Sequence, residues 1–147
     1  VIVHPQSVIH SIVQFVDGSM KAQMGLPDMK LPIQYALAYP ERIKSGFPRF
    51  NFTDYPELTF GKPDRNIFRN LALAYEAMER GGNLPCIMNA ANEVAVDEFL
   101  AGNIRFLQIP DLIEQSMSAL GFIATPGYAD LVETNRCTKD YVINTLL

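Results

Sequence analysis

Apolar positions along the chain change period once. Up to about residue 24 they come in short β-prone runs; from about residue 66 they recur at helical spacing. Val1 to Val3 is a β-branched run that Pro5 ends, having no N–H to give a ladder. Val8 to Val16 is again rich in Val, Ile and Phe, Asp17-Gly18 follows, and Ser19 to Met24 completes a predicted hairpin. An Asp-Gly pair between two such runs predicts a type I′ turn, with positive φ at both central residues. Alternation puts Ile9, Ser11, Val13 and Phe15 on one face and Val8, His10, Ile12 and Gln14 on the other. Both faces are mostly apolar, so both are expected to be covered.

Gly25 breaks the second run, and Pro27-Asp28 opens a predicted helix that reaches about Tyr39. Asp28 is its expected cap. Pro32 falls in the first turn, where a missing N–H costs little, and Ile33, Ala36 and Leu37 form the expected inward stripe. Pro40 ends it. The stretch to about Asp64 carries Pro48, Pro56 and Pro63 together with Phe47, Phe50, Phe52, Tyr55 and Phe60. So many aromatics predict a connection docked on the protein rather than a flexible linker, with Leu58-Thr59-Phe60 as a short added strand.

From Asn66, Ile67, Phe68, Leu71, Ala74, Tyr75 and Met78 predict a helix that Gly81-Gly82 terminates. Leu84 to Leu100 is apolar on nearly every face and is the expected central helix. Ile109, Leu112, Ile113, Met117 and Leu120 form a third stripe, ended by Gly121. After Pro126-Gly127, two helices are predicted, Tyr128 to Val132 and Asn135 to Leu146, with Thr134 as the cap between them. The pattern as a whole is α+β: a sheet hairpin and a helix, then a small helical bundle.

Composition narrows the function classes. The chain has 147 residues, 48% of them hydrophobic and 19% charged, which suits a folded domain rather than a disordered one. A net charge of −4 and scattered basic residues disfavour nucleic acid as a partner. No apolar run approaches the roughly 20 residues that span a bilayer, and no signal peptide is visible at Val1-Ile2-Val3. Cys86 and Cys137 fit reduced, buried thiols of a cytoplasmic protein. The chain opens inside a strand-like run, which reads as a fragment.

Four features bear on chemistry. His4-Pro5-Gln6-Ser7-Val8-Ile9-His10 holds both histidines of the chain and a serine near a strand end. As residues alone they are read first as hydrogen-bonded histidines beside a sheet edge. The second reading is a substrate site or an acid and base. A metal-dependent hydrolase on His4 and His10 lacks a third ligand. Gly25-Leu26-Pro27-Asp28-Met29 is a loop placed to meet a ligand, but as residues alone it is read first as a helix N-terminus with its cap. Asn89-Ala90-Ala91-Asn92-Glu93, on the central helix, is expected to satisfy loop backbone or neighbouring helix ends. No dinucleotide or P-loop fingerprint occurs, and the acidic residues do not cluster.

Two ordered motifs then carry a resemblance. His4-Pro5-Gln6-Ser7-Val8-Ile9-His10-Ser11, followed by Asp17-Gly18-Ser19, Pro27-Asp28-Met29 and Pro32-Ile33, resembles the 1-deoxy-D-xylulose 5-phosphate reductoisomerase family. Asn89-Ala90-Ala91-Asn92-Glu93-Val94-Ala95-Val96 is similar to a second hallmark of that family, as are Leu58-Thr59-Phe60 and Ala101-Gly102-Asn103-Ile104-Arg105-Phe106. The likeness runs in order and fades after about Leu120.

The resemblance implies an enzyme of non-mevalonate isoprenoid synthesis. It would convert 1-deoxy-D-xylulose 5-phosphate to 2-C-methyl-D-erythritol 4-phosphate with NADPH and Mg²⁺ or Mn²⁺, as a homodimer. Residues 1–39 would then end the central catalytic and dimerisation domain, 40–64 would be the connection, and 65–147 the C-terminal helical domain. Ser7 and His10 match site-lining positions, with His10 organising the site by hydrogen bonding. Pro27 and Met29 match a loop near the nicotinamide. The acidic metal ligands and phosphate-binding residues would lie upstream, so this chain alone is expected to be inactive and to bind neither cofactor nor metal. The alternative is a helical interaction or dimerisation module without catalysis.

Overall fold

The hairpin forms where the β-prone runs place it. β1 (Ile9–Gln14) pairs antiparallel with β2 (Met20–Met24), and the two strands make a sheet of their own. These features belong to a computed structural model that describes residues 1–147. Its chain divides into two compact units, 1–63 and 64–147.

The turn differs from the expected type I′. The Phe15 N–H donates to the Ser19 carbonyl at 2.9 Å, and the Gly18 N–H donates to the Phe15 carbonyl at 3.0 Å. Of the turn residues only Gly18 has positive φ, +86°. The connection is therefore three residues long, Val16-Asp17-Gly18, closed by one left-handed glycine. The Asp17 carboxylate accepts the Ser19 N–H at 2.9 Å and its hydroxyl at 2.7 Å, an Asx-type brace that the Asp-Gly pair makes in place of a second positive φ.

The predicted alternation also breaks. Ile9 pairs with Met24, but Ser11 pairs with Gln23, so the register shifts at His10. This β-bulge moves Ile9 onto the face of Ile12 and Gln14 and leaves Ser11, Val13 and Phe15 on the other. Nor are the two faces covered. Ile12, Val13, Phe15 and Met20 are all exposed, because the two strands pair only with each other.

α1 (Lys30–Ala38) follows. Asp28 does brace its start: its carboxylate accepts the Lys30 N–H at 2.9 Å and faces the Lys30 ammonium at 3.4 Å. The expected inward stripe is open instead, with Ile33 and Leu37 exposed and Gln34, Tyr35 and Ala38 half-buried. In the connection, Phe50 packs on Phe52 and Tyr55, with ring centroids 4.9 and 5.3 Å apart. The guanidinium of Arg42 lies 3.7 Å over the Tyr35 ring. The predicted strands at Val1 to Val3 and Leu58 to Phe60 reduce to a single antiparallel bridge, Val3 with Gly61 (2.9 and 2.8 Å).

The second unit is helical. α2 (Arg69–Arg80), α3 (Leu84–Leu100), α4 (Gln108–Ala119) and α5 (Tyr128–Tyr141) enclose a core of Leu73, Ala77, Leu84, Ile87, Val94, Ile109, Ile113 and Met117. α3 is the central element, packed on α2, α4 and α5. α2 begins three residues later than Asn66, after a turn in which the Asp64 carboxylate accepts the Asn66 N–H at 2.8 Å. Where two C-terminal helices were expected there is one. α5 runs through Thr134 and ends in a π-helical turn, Val142–Leu146. No glycine or proline interrupts residues 128–146, and Thr134 and Thr138 are buried rather than capping.

Candidate functional site

The first histidine motif folds into a tight turn. The Ser7 N–H donates to the His4 carbonyl at 3.0 Å, and Ser7 has φ +50°, the one non-glycine residue with positive φ. Val8, next along, is fully buried, and its carbonyl accepts the Gly25 N–H at 2.9 Å. This anchors the start of β1 beside the end of β2 and the Gly25–Met29 loop. His10 is exposed at the bulge, a feature that re-aims side chains beside active sites.

His4 behaves differently. Its Nδ1 donates to the Thr59 carbonyl at 2.9 Å, and its ring stacks on Phe60 with centroids 4.8 Å apart. Its Nε2 is buried without a partner. His4 and His10 both line one cavity of about 270 Å³, with Ile9, Ser11, Ile12 and Phe60. The two histidines are thus brought together, one fixed and one exposed. Ser7 stands outside that lining.

The Gly25–Met29 loop borders a larger cavity of about 770 Å³. Leu26, Pro27, Asp28 and Leu31 face Arg42, Lys44 and Arg49 of the connection across it. Met29 is exposed and is not part of this lining. Asp28 is held below the ordinary carboxylate range by the hydrogen bond from the Lys30 backbone and by the Lys30 charge.

No three His, Cys, Asp or Glu side chains converge to hold a metal ion. The residues present therefore do not fit a divalent metal site. They also lack the glycine-rich turn that cradles a pyrophosphate.

The central-helix motif is structural. Ala90 and Ala91 are fully buried, while the Asn89 amide donates to Glu93 at 2.8 Å and Glu93 pairs with Lys139 of α5 at 2.5 Å. The motif bonds a neighbouring helix, not loop backbone. Lys139 and Asn89 hold the Glu93 carboxyl below its ordinary range by hydrogen bonding. Sequence reasoning passed over Asn83, which is the more deeply placed polar residue. Its amide donates to the Gly121 carbonyl (3.0 Å) and the Thr134 hydroxyl (3.3 Å) and accepts the Ile123 N–H (2.9 Å). Beside it Gly82, with φ +60°, leaves no space for a Cβ, which would lie 2.4 Å from the Ile123 carbonyl oxygen. Both cysteines are free thiols. Burial pushes the Cys86 thiol up, and the hydrogen bond to Glu133 does the same for Cys137.

Residues 24–141 match the family model described as the DXP reductoisomerase C-terminal domain. The likeness does not fade after Leu120, as the sequence alone had indicated. A 1-deoxy-D-xylulose 5-phosphate reductoisomerase of Phocaeicola vulgatus is 61% identical over 146 residues, covering 99% of this chain and 38% of that protein. The one of Bacteroides thetaiotaomicron is 62% identical over 135 residues, covering 92% and 35%. Among solved structures, the reductoisomerase from Zymomonas mobilis in complex with NADPH matches with a TM-score of 0.83 and 40% identity, over 94% of this chain and 36% of that one. A DOX-P reductoisomerase in complex with NADPH, fosmidomycin and magnesium matches with a TM-score of 0.87 and 36% identity, over 97% and 37%. The chain spans little more than a third of the length of these relatives. It belongs to the 1-deoxy-D-xylulose 5-phosphate reductoisomerase family, as the C-terminal part of that enzyme.

Proposed function

We propose that this chain forms part of an NADPH-dependent enzyme that rearranges 1-deoxy-D-xylulose 5-phosphate and reduces the product to 2-C-methyl-D-erythritol 4-phosphate. The observation that carries this is the alignment of nearly the whole chain with a structure holding NADPH, fosmidomycin and magnesium. Residues 1–39 end the catalytic and dimerisation domain, 40–64 connect, and 65–147 form the helical domain. The assembled enzyme is a cytoplasmic homodimer. No helix here is long and apolar enough to cross a membrane.

NADPH supplies the hydride when bound. This chain's own part is to shape one wall of the site. Ser7, held at positive φ, presents its hydroxyl at the turn, and His10, exposed at the bulge, donates and accepts hydrogen bonds that orient the sugar phosphate. Pro27 and Met29, on the loop beside the cavity, would border a bound nicotinamide. The divalent-metal ligands are assigned to the part of the enzyme upstream of these residues, as the family resemblance implies.

The test is His10→Gln in the full-length enzyme. Loss of an orienting hydrogen bond is expected to lower kcat on the order of tenfold to a hundredfold. Melting temperature and sedimentation should not change; wild-type kcat would refute the role. The chain alone is expected to leave NADPH unoxidised when mixed with the sugar phosphate and Mg²⁺. Absorbance loss above background would show that it carries a complete site.

A further inference from the structure

We infer that Gln6 and His4, acting through Thr59, are positioning residues that hold Ser7 in place. This rests on the proposed placement of Ser7 in the active-site wall. Ser7 has φ +50°, a conformation that a serine keeps only when its surroundings impose it. Those surroundings are specific. The Ser7 N–H is held by the His4 carbonyl at 3.0 Å. On the other side of the turn, the Gln6 amide faces one residue of the connection. Its Nε2 donates to the Thr59 hydroxyl at 2.9 Å, and its Oε1 accepts the Thr59 N–H at 3.2 Å. His4 Nδ1 donates to the Thr59 carbonyl at 2.9 Å.

Two side chains of one four-residue turn thus hold both backbone polar groups of Thr59. They extend, by side-chain bonds, the Val3–Gly61 bridge next to them. Stacking on Phe60 fixes the His4 ring, although its Nε2 has no partner. A buried unpaired nitrogen is unfavourable, so the ring's position is set by the Thr59 bond and the stack. The connection is on this account part of the catalytic apparatus, because it sets the backbone that presents Ser7.

The experiment compares Gln6→Ala, Gln6→Glu, Ser7→Ala and the doubles with Ser7→Ala, all in the full-length enzyme, by steady-state kinetics and thermal melting. Gln6→Ala should lower kcat/KM for the sugar phosphate roughly tenfold to a hundredfold, with KM for NADPH unchanged. In the Ser7→Ala background the same change should cost less than about twofold, because both act through one group. An equal loss in both backgrounds, or wild-type kinetics for Gln6→Ala, overturns the inference. Should Gln6→Ala fail to fold, Gln6→Glu decides in its place, since it keeps an oxygen to accept the Thr59 N–H and loses the amide N–H that bonds the Thr59 hydroxyl; a loss in kcat/KM that vanishes in the Ser7→Ala background supports the inference, and wild-type kinetics overturn it. Impaired Ser7→Ala beside silent Gln6→Ala rejects the positioning role alone. Unimpaired Ser7→Ala rejects the site itself, and the inference with it.

Discussion

Single residues decide the two most constrained points of the chain, and both depend on partners distant in sequence. Asn83 is 1% exposed and bonds residues 38 to 51 positions away, closing the 121–123 loop over the start of α3 and fixing α5 through Thr134. Replacing it with alanine strands the Ile123 N–H and the Gly121 carbonyl. A hydrogen bond contributes about 0.5–1.5 kcal/mol net, and the stranded groups belong to exposed residues that water can reach, so Asn83→Ala should destabilise the protein by about 1–2 kcal/mol. A chevron or equilibrium urea titration followed by helical circular dichroism would measure this; a loss under about 0.5 kcal/mol, typical of neutral surface changes, would contradict it. An asparagine after Gly-Gly and before a helix reads as an ordinary cap, which is why the sequence did not mark it. His10 was marked, but its setting was not. The bulge that exposes it follows from pairing with β2, where Met24 and Gln23 are adjacent partners of Ile9 and Ser11.

At the scale of elements, helices were legible wherever an apolar stripe met a glycine or proline stop, as for α3 and α4. α5 was misread because Thr134 resembles a cap. In the fold its hydroxyl accepts from Asn83, and its carbonyl accepts the Thr138 hydroxyl at 2.7 Å, so the helix continues. Local charge supports that continuity. Arg136 pairs with Glu133 one turn before it (2.6 Å) and with Asp140 one turn after (2.9 Å). The Glu133 carboxyl is lowered to about 2 by the hydrogen bond from Arg136 and then that from Cys137. A depressed carboxylate stabilises the fold above its unfolded value of 4.5, and that contribution is lost as pH falls through about 2. Wild type should therefore melt slightly above Glu133→Gln at pH 6, with the gap closing between pH 4.5 and pH 2. The pair is exposed, so the gap is small and shrinks with salt. A gap that widened on acidification would exclude this assignment.

For the whole molecule, the two units differ in how far their apolar surface is satisfied within the chain. The helical unit buries an apolar core drawn from α2, α3, α4 and Val142 of the π-helical turn, with Thr134 and Thr138 of α5 buried beside it. The first unit leaves Ile12, Val13, Phe15 and Met20 exposed on a hairpin with a free edge on each side. This contrast explains which sequence expectations held. Periodicity reports which residues want to be buried, and it reported the hairpin correctly as apolar on both faces; it does not say what covers them. Contiguous exposed apolar residues beside free strand edges favour association. Symmetric pairing of two hairpins covers such surface with an identical copy, which is the commonest way soluble chains associate. The chain should therefore sediment as a dimer at high concentration and dissociate on dilution. Val13→Lys places a charge next to Lys21, its cross-strand partner, where like charges oppose pairing of that face. It should shift the equilibrium to monomer while leaving the circular dichroism of the helical unit intact. Wild-type chain that sediments as a monomer at every concentration would remove the hairpin as the dimer contact, leaving the proposed homodimer to form through residues outside this chain.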